Sequence, residues 1–303
     1  MHKKLIVILG PTASGKTDLS IELAKKYKGE IISADSRQVY KGLDIGSGKI
    51  TKKEMQGIPH HLLDVANPKR RFTVAQFQKL AFKKIQQIQK KGNIPFLVGG
   101  TGFYIQSVVD GVEIPEVKPD WKFRKKLEKK STRELFLMLE KLDLKRAKTI
   151  DAKNRRRLVR AIEIVTATKR PITPLHKSNQ FNVLQIGVKK SPKELKKAIH
   201  KRLQKRIQGI IKEVKKLNRS ELSFKRLEEL GLEYRFVAQY VQDNIPYQQM
   251  LDSIQKESEQ FAKRQMTWFK RDKKIHWIQN YKETEKLLKN FLKKIPPGGR
   301  IVQ

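Results

Sequence analysis

Cysteine is absent from the 303-residue chain. Disulfides, thiolate metal sites and cysteine nucleophiles are therefore excluded, and a reducing, cytoplasmic setting fits. Acidic residues are scarce: 30 Asp and Glu face 68 Lys and Arg, for a net charge of +38. No uncharged apolar run is long enough to span a bilayer, so no membrane role is expected. The start, MHKKLIVILGPT, joins basic residues to a short apolar run. That run enters a glycine-bearing loop with no small-residue cleavage site, and reads as a core strand rather than a signal peptide.

What is present supports a folded protein. Hydrophobic residues make up 38% of the chain, enough for a real core. The length suits two domains, or one domain carrying a large insertion. The positive charge attracts a polyanion over long range and gains from the release of its counterions. The competing account is lysine placed on solvated helix faces. More than two thirds of the excess lies beyond residue 112, away from the loop-bearing N-terminal part.

Leu5–Leu9 is a continuous apolar run of the kind a buried parallel strand shows. Thr17–Tyr27 has helical spacing, Glu30–Ala34 reads as a second strand, Val74–Lys90 as a helix and Ile94–Val98 as a third strand. Phe77, Phe82 and Phe136 fall at core spacings. This alternation predicts an α/β fold: a P-loop NTPase-like parallel sheet core. The rhythm stops at Ile114–Pro119, a proline-bearing linker, and Trp121–Ala167 is helical and charged. Val183–Val188 is expected to return to the sheet, with long helices at Pro192–Lys216 and Tyr247–Arg271. The expected organisation is a discontinuous core, residues 1–112 with 183–303, around a helical insertion domain at 113–182. The tail Pro296-Pro297-Gly298-Gly299 is expected to fray.

Gly10-Pro11-Thr12-Ala13-Ser14-Gly15-Lys16-Thr17 matches G-x-x-x-x-G-K-[ST] in full, between an apolar strand and a helix. Glycines let successive N–H groups turn inward toward phosphate oxygens, and the helix start adds partial positive charge. Lys16 supplies a full charge, and the Thr17 hydroxyl can hold Mg²⁺. The loop implies a bound di- or triphosphate with magnesium, not ATP hydrolysis. No apolar strand ends in the Asp that would complete a hydrolase magnesium site; Asp35, after the second strand, is the nearest carboxylate and a second candidate ligand. The third strand ends in Gly99-Gly100-Thr101-Gly102. Ligands of open parallel sheets sit beyond the strand carboxyl ends, so Asp35 and Thr101 should face the phosphate loop. The adjacent His60 and His61 point apart on any regular element, which favours a structural role over a metal site.

Several blocks then resemble one family. Gly10–Thr17, Ser33–Tyr40 (SADSRQVY), Asp44-Ile45-Gly46, His60–Val65 (HHLLDV) with Phe72–Phe77 (FTVAQF), and Gly99–Tyr104 (GGTGFY) are similar to the tRNA dimethylallyltransferases. So are Asn154–Glu163 (NRRRLVRAIE), Gly231–Arg235 (GLEYR) and Ala262–Arg271 (AKRQMTWFKR). The resemblance runs in family order from about Ile6 to Trp277. It departs before the arginine helix, where Ile150-Asp151-Ala152-Lys153-Asn154 replaces the family's usual Ile-His-Pro-Asn-Asp; Asn154 remains a competent N-cap.

The resemblance implies transfer of a dimethylallyl group from dimethylallyl diphosphate to N6 of the adenosine 3′ of the anticodon, position 37 of tRNA. It implies Mg²⁺, a monomer in the cytoplasm, and the anticodon stem-loop as partner. Lys16, Thr17, Asp35 and Thr101 would be catalytic, with Asp35 as the base for the amine. Arg235 would join the phosphate loop at the diphosphate. Asp35, Ser36, Arg37, Gln38, Thr101, Arg124 and the run Arg156, Arg157, Leu158, Val159, Arg160 would meet tRNA. Trp268 and Phe269 read as packing residues. Three rivals stand beside this reading: a metabolite kinase, a prenyltransferase of free adenine nucleotides, and a non-catalytic RNA-binding protein. Phosphate release from ATP, a comparison of AMP with tRNA as acceptor, and any single-turnover product separate them.

Overall fold

A computed structural model describes residues 4–115, 117–172, 177, 178, 180–278 and 281–293. The proline-glycine tail lies outside these residues. The chain divides into two compact units, residues 1–110 with 179–303, and residues 111–178.

The first unit begins with β1 (Lys4–Leu9), α1 (Lys16–Lys26), β2 (Gly29–Ser33) and the two-residue β3 (His60–His61). It continues through α2 (Val74–Lys90), β4 (Ile94–Gly99) and α3 (Gly102–Val109). The second unit holds α4 (Trp121–Glu128), α5 (Thr132–Leu142), α6 (Leu144–Ala147) and α7 (Arg155–Thr168). The first unit resumes with β5 (Asn182–Val188), α8 (Pro192–Arg219), α9 (Phe224–Leu230) and α10 (Leu232–Val241). It ends with α11 (Tyr247–Phe269), β6 (Ile275–Ile278) and α12 (Tyr281–Lys293).

The strands form one sheet in the order β3-β2-β4-β1-β5-β6, and every pairing is parallel. The expected α/β parallel sheet is therefore present. β5 lies along β1 from Lys4↔Asn182 to Leu9↔Gly187, so the chain re-enters the sheet next to its first strand. Side-chain alternation explains the continuous apolar runs. Leu5, Val7, Leu9, Ile32 and Leu97 enter one core with residues of α2, α3, α8, α10 and α11. Ile6, Ile8, Ile31, Phe96 and Val98 enter the other with residues of α1 and α12. Both faces are covered, so no polar alternation is available to the strands.

Several elements lie beyond the sequence-based expectation. β3 and β6 are too short to show a period, and α9 and α10 are separated at Gly231, which has φ of 73°. The two histidines each take a partner of their own. His61 Nε2 bonds Glu30 Oε2 at 2.6 Å, and His60 Nδ1 meets Ile58 O at 2.8 Å. Among the described residues no group of three or more His, Cys, Asp or Glu could hold a metal, and no helix is long and apolar enough to cross a membrane.

The helical unit packs around Leu127, Leu135, Leu139, Leu158, Ala161 and Ile162. Its α7 starts at Asn154, whose side chain accepts from Arg157 N at 3.2 Å. Glu163 of α7 is 2% exposed. It accepts two hydrogen bonds from Arg124, one from Arg160 and one from Asp120 N. Burial alone would raise its carboxyl pKa, but these hydrogen bonds reverse the shift and hold it below the usual range. Removing the acceptor leaves two guanidinium groups without their partner. Glu163→Ala is therefore expected to destabilise the helical unit by about 3 kcal/mol, the lower end for a broken buried pair because both arginines keep some solvent contact. Hydrogen exchange of the α7 amides checks this: protection should fall there and persist in β1 and β4.

Candidate phosphate and acceptor site

The carboxyl ends of β1, β2 and β4 carry the candidate residues. After β1 the chain turns through Gly10–Gly15 into α1. Gly15, the N-cap, has φ of 94°, a left-handed conformation that a side chain would strain. No side chain caps α1, so its first N–H groups are left for a ligand. Ser14 is buried, and its hydroxyl has no hydrogen-bond partner. A loop with open amides and a buried unpaired hydroxyl is built to take an anion.

Lys16 donates to Pro11 O at 3.0 Å. Burial lowers its pKa to about 8; Asp35 opposes the shift and Arg202 adds to it. Arg202, on α8, approaches the loop through Nη1 to Thr12 Oγ1 at 3.4 Å. Arg206, one turn later, has a buried Nη2 without a partner, and burial together with Arg202 lowers its pKa to about 10. Glu233 is shifted upward by burial, against the opposing influence of Arg206 and Arg202. The sequence pattern missed this basic pair. Arg202 and Arg206 are four residues apart on a helix crowded with lysines, so their spacing had no contrast.

The candidate acceptor side, at Asp35 and Thr101, is set by the β2–β4 ladder. Ala34 N donates to Val98 O at 2.7 Å, and Thr101 N donates to Ala34 O at 3.1 Å. A Cβ at Gly99 would stand 2.2 Å from Ala34 O, so glycine is required there. Thr101 Oγ1 then accepts from Ser36 N at 3.0 Å. Asp35 Oδ1 accepts from Arg37 N at 2.8 Å and Gln38 N at 3.3 Å. The carboxylate both caps its turn and keeps Oδ2 clear of hydrogen bonds among the described residues.

Other side chains brace this turn. Gln38 Nε2 donates to Gly48 O at 3.2 Å. Buried Glu213 of α8 accepts from Asp44 N, Ile45 N and Gly46 N and from the Tyr234 hydroxyl. Arg235 Nη2 and Arg37 Nη2 both approach Gly231, at 3.9 and 4.0 Å from a Cβ placed there. Trp268 is half-buried and Phe269 buried, as packing requires.

The sequence-based arginine run does not present five equivalent contacts. Leu158 is 0% exposed and lies in the core of its unit, so its side chain cannot reach RNA. Val159 packs partly against the same core. Arg124 and Arg160 pair their guanidinium groups with Glu163 and keep part of their side chains exposed. Arg156 and Arg157 are exposed. These residues belong to the helical unit, whereas Asp35, Ser36, Arg37, Gln38, Thr101 and the phosphate loop share the sheet unit.

A parallel sheet whose first strand ends in an anion-binding glycine loop, with a carboxylate and a threonine at neighbouring strand ends, defines a P-loop-type α/β protein. Residues 38–272 match the family model described as IPP transferase. The chain is 40% identical to a tRNA dimethylallyltransferase of Carboxydothermus hydrogenoformans, covering 96% of this chain and 97% of that one. It is 42% identical to a tRNA dimethylallyltransferase 2 of Shewanella sediminis, over 91% and 93% of the two chains. Among solved structures it resembles the full-length tRNA isopentenylpyrophosphate transferase of Bacillus halodurans, with a TM-score of 0.71, 35% identity and coverage of 96% and 95%. It also resembles a eukaryotic dimethylallyltransferase acting on tRNA, with a TM-score of 0.73, 26% identity and coverage of 88% and 69%. The chain belongs to the IPP transferase family of tRNA dimethylallyltransferases.

The depressed Lys16 pKa makes ligand binding depend on pH. A diphosphate held by this loop would bind the protonated amine, and without ligand the amine loses that proton as pH rises through about 8. Affinity for an allylic diphosphate should therefore hold steady from about pH 7, above the ligand's own ionisation, up to this value and fall by up to about tenfold per pH unit above it, one proton being taken up on binding. Lys16→Arg keeps its charge in this range and should flatten the profile. Calorimetric titration across pH reads both slopes.

Proposed function

We propose that this chain transfers a dimethylallyl group from dimethylallyl diphosphate to N6 of adenosine 37 in tRNA. The observation that carries the proposal is the meeting of an anion-binding loop with Asp35 and Thr101 at adjacent strand ends of one sheet. Relatives named tRNA dimethylallyltransferase match 96% and 91% of the chain, which supports transfer of this group to tRNA.

The loop amides, Ser14, Lys16 and Arg202 hold the diphosphate, and Arg235 joins them from α10. The C1–O bond of the allylic ester breaks with its electron pair going to the diphosphate. The N6 lone pair forms the new C1–N bond. The amine proton passes to Asp35 Oδ2, while Oδ1 stays fixed by Arg37 N and Gln38 N. Preorganised cations lower the barrier because negative charge grows on the leaving oxygen in a partly buried site. Thr101 and the Ser36–Gln38 turn hold the adenosine, which must leave its stack to reach them.

Mg²⁺ fits the donor set, since this ion uses few protein oxygens and completes its shell with phosphate and water. The exposed Thr17 hydroxyl would hold it, with Asp35 as the alternative ligand, and it would neutralise charge on the departing diphosphate. The helical unit supplies RNA contacts through exposed Arg156 and Arg157, and the enzyme acts as a cytoplasmic monomer.

Mass spectrometry of nucleosides from tRNA incubated with the protein, Mg²⁺ and dimethylallyl diphosphate tests the activity: dimethylallyl-adenosine is expected, and unmodified tRNA overturns it. Asp35→Asn keeps the turn but cannot accept the proton. Its single-turnover rate should fall about 10²–10⁴-fold with both substrates still bound, as loss of a general base does. Loss of diphosphate binding along with the rate would make Asp35 a metal ligand instead. Replacing Arg156 and Arg157 together by Ala should weaken tRNA and lower the salt dependence of its binding by about one unit of slope per lost phosphate contact. An unchanged slope, measured by filter binding from low to physiological salt, removes α7 from the interface.

A further inference from the structure

Gln265 lies on α11 one turn beyond Ala262 and one before Phe269, both buried, and is itself only 7% exposed. A neutral amide at a core position is tolerated where both its ends find partners. Here they do. Oε1 accepts from Thr12 N at 2.9 Å, and Nε2 donates to Gly100 O at 2.9 Å. A backbone N–H only donates and a carbonyl only accepts, so one orientation of the amide satisfies both bonds. A Cβ at Gly100 would lie 2.3 Å from Nε2, so the backbone leaves space for this side chain and no more.

The two partners belong to different loops. Thr12 is in the phosphate loop after β1, and Gly100 precedes Thr101 after β4. The strands are paired up to Leu9↔Gly99, where their ladder ends. Beyond that point Gln265 links the loops through a third element, a helix anchored in the core by Met250, Leu251, Ile254 and Phe269.

We propose that Gln265 is a positioning residue for prenyl transfer. It sets the separation between the loop that holds the diphosphate and the Thr101 loop that holds the acceptor, and so the distance from the allylic carbon to N6. This rests on the reaction proposed above. Each loop keeps its own ligand contacts without the amide, so affinity should survive its loss. The displacement step, which needs both reactants aligned within a fraction of an ångström, should not.

Gln265→Met keeps the length of the side chain and removes both bonds. The single-turnover rate at saturating substrates should fall about 10²-fold, the effect of a misplacement near 1 Å. Affinities for dimethylallyl diphosphate and for tRNA, measured separately, should each stay within about threefold, a loss confined to the transition state. A saturating rate equal to wild type overturns the proposal. So does a defect that disappears as substrate is raised, because it then lies in binding.

Gln265→Glu supplies an independent readout and decides the matter if the Met variant fails to fold. Its carboxylate still accepts from Thr12 N but sets an oxygen against Gly100 O. Protonation restores the missing donor, so the variant-to-wild-type rate ratio should rise as pH falls from about 8 to about 6. A ratio independent of pH overturns the role of the Gly100 bond. The wild-type control separates the two ideas: no product from wild type defeats the proposed reaction itself, whereas active wild type with a normal Gln265→Met defeats only the positioning role.

Discussion

The backbone register between β2 and β4 is the constraint on which the site depends. Ala34 N on Val98 O and Thr101 N on Ala34 O bring two loops from separate parts of the chain side by side. A glycine at position 99 permits this approach, because any side chain would strike Ala34 O. Once the ladder is set, Asp35 and Thr101 have little freedom: one caps its turn through Oδ1, and the other bonds Ser36 N. Parallel pairing then places the phosphate loop of β1 at the same end, since parallel strands present all their carboxyl ends to one edge.

The two units treat buried charge in opposite ways. In the helical unit, Arg124 and Arg160 converge on a buried carboxylate, and the cluster satisfies itself. At the phosphate loop, Arg202 lies close to both Lys16 and Arg206. Burial and mutual repulsion lower the pKa of Lys16 and Arg206, and Arg206 Nη2 and Ser14 Oγ are left without partners. Such an arrangement weakens the empty protein and is relieved by a bound anion. Arginines of similar local sequence thus meet different surroundings: Glu163 accepts directly from Arg124 and Arg160, whereas Arg206 keeps a buried Nη2 without a partner.

Backbone support around the site follows the same logic of complete satisfaction. Glu213 gathers three successive N–H groups of the Asp44–Gly46 turn and the Tyr234 hydroxyl, which in turn accepts from Ser47 N. A loop that would otherwise carry orphan donors is held rigid from α8 and α10. Gln38 extends this brace to the Asp35 turn through Gly48 O. The Asp35 turn therefore rests on helices remote from it in sequence.

Local sequence determined the features whose physics is local. The phosphate loop, the strand identities of Leu5–Leu9 and Ile94–Val98, the Asn154 cap and the parallel α/β class follow from glycine placement, apolar run length and capping chemistry within a few residues. The strand-end rule brought Asp35 and Thr101 to notice, and the family resemblance added their expected roles and the arginine helix. Tertiary structure alone decided which arginines are free, because Arg124, Arg156, Arg157 and Arg160 look alike until a buried Glu163 selects two of them. It alone put Arg202 beside Thr12 of the phosphate loop and Gln265 between Thr12 and Gly100, as these pairings join residues 190 and 165 or more positions apart. Hydrogen-bond satisfaction and charge compensation act through space, and a linear pattern carries no record of which distant groups will share one buried volume.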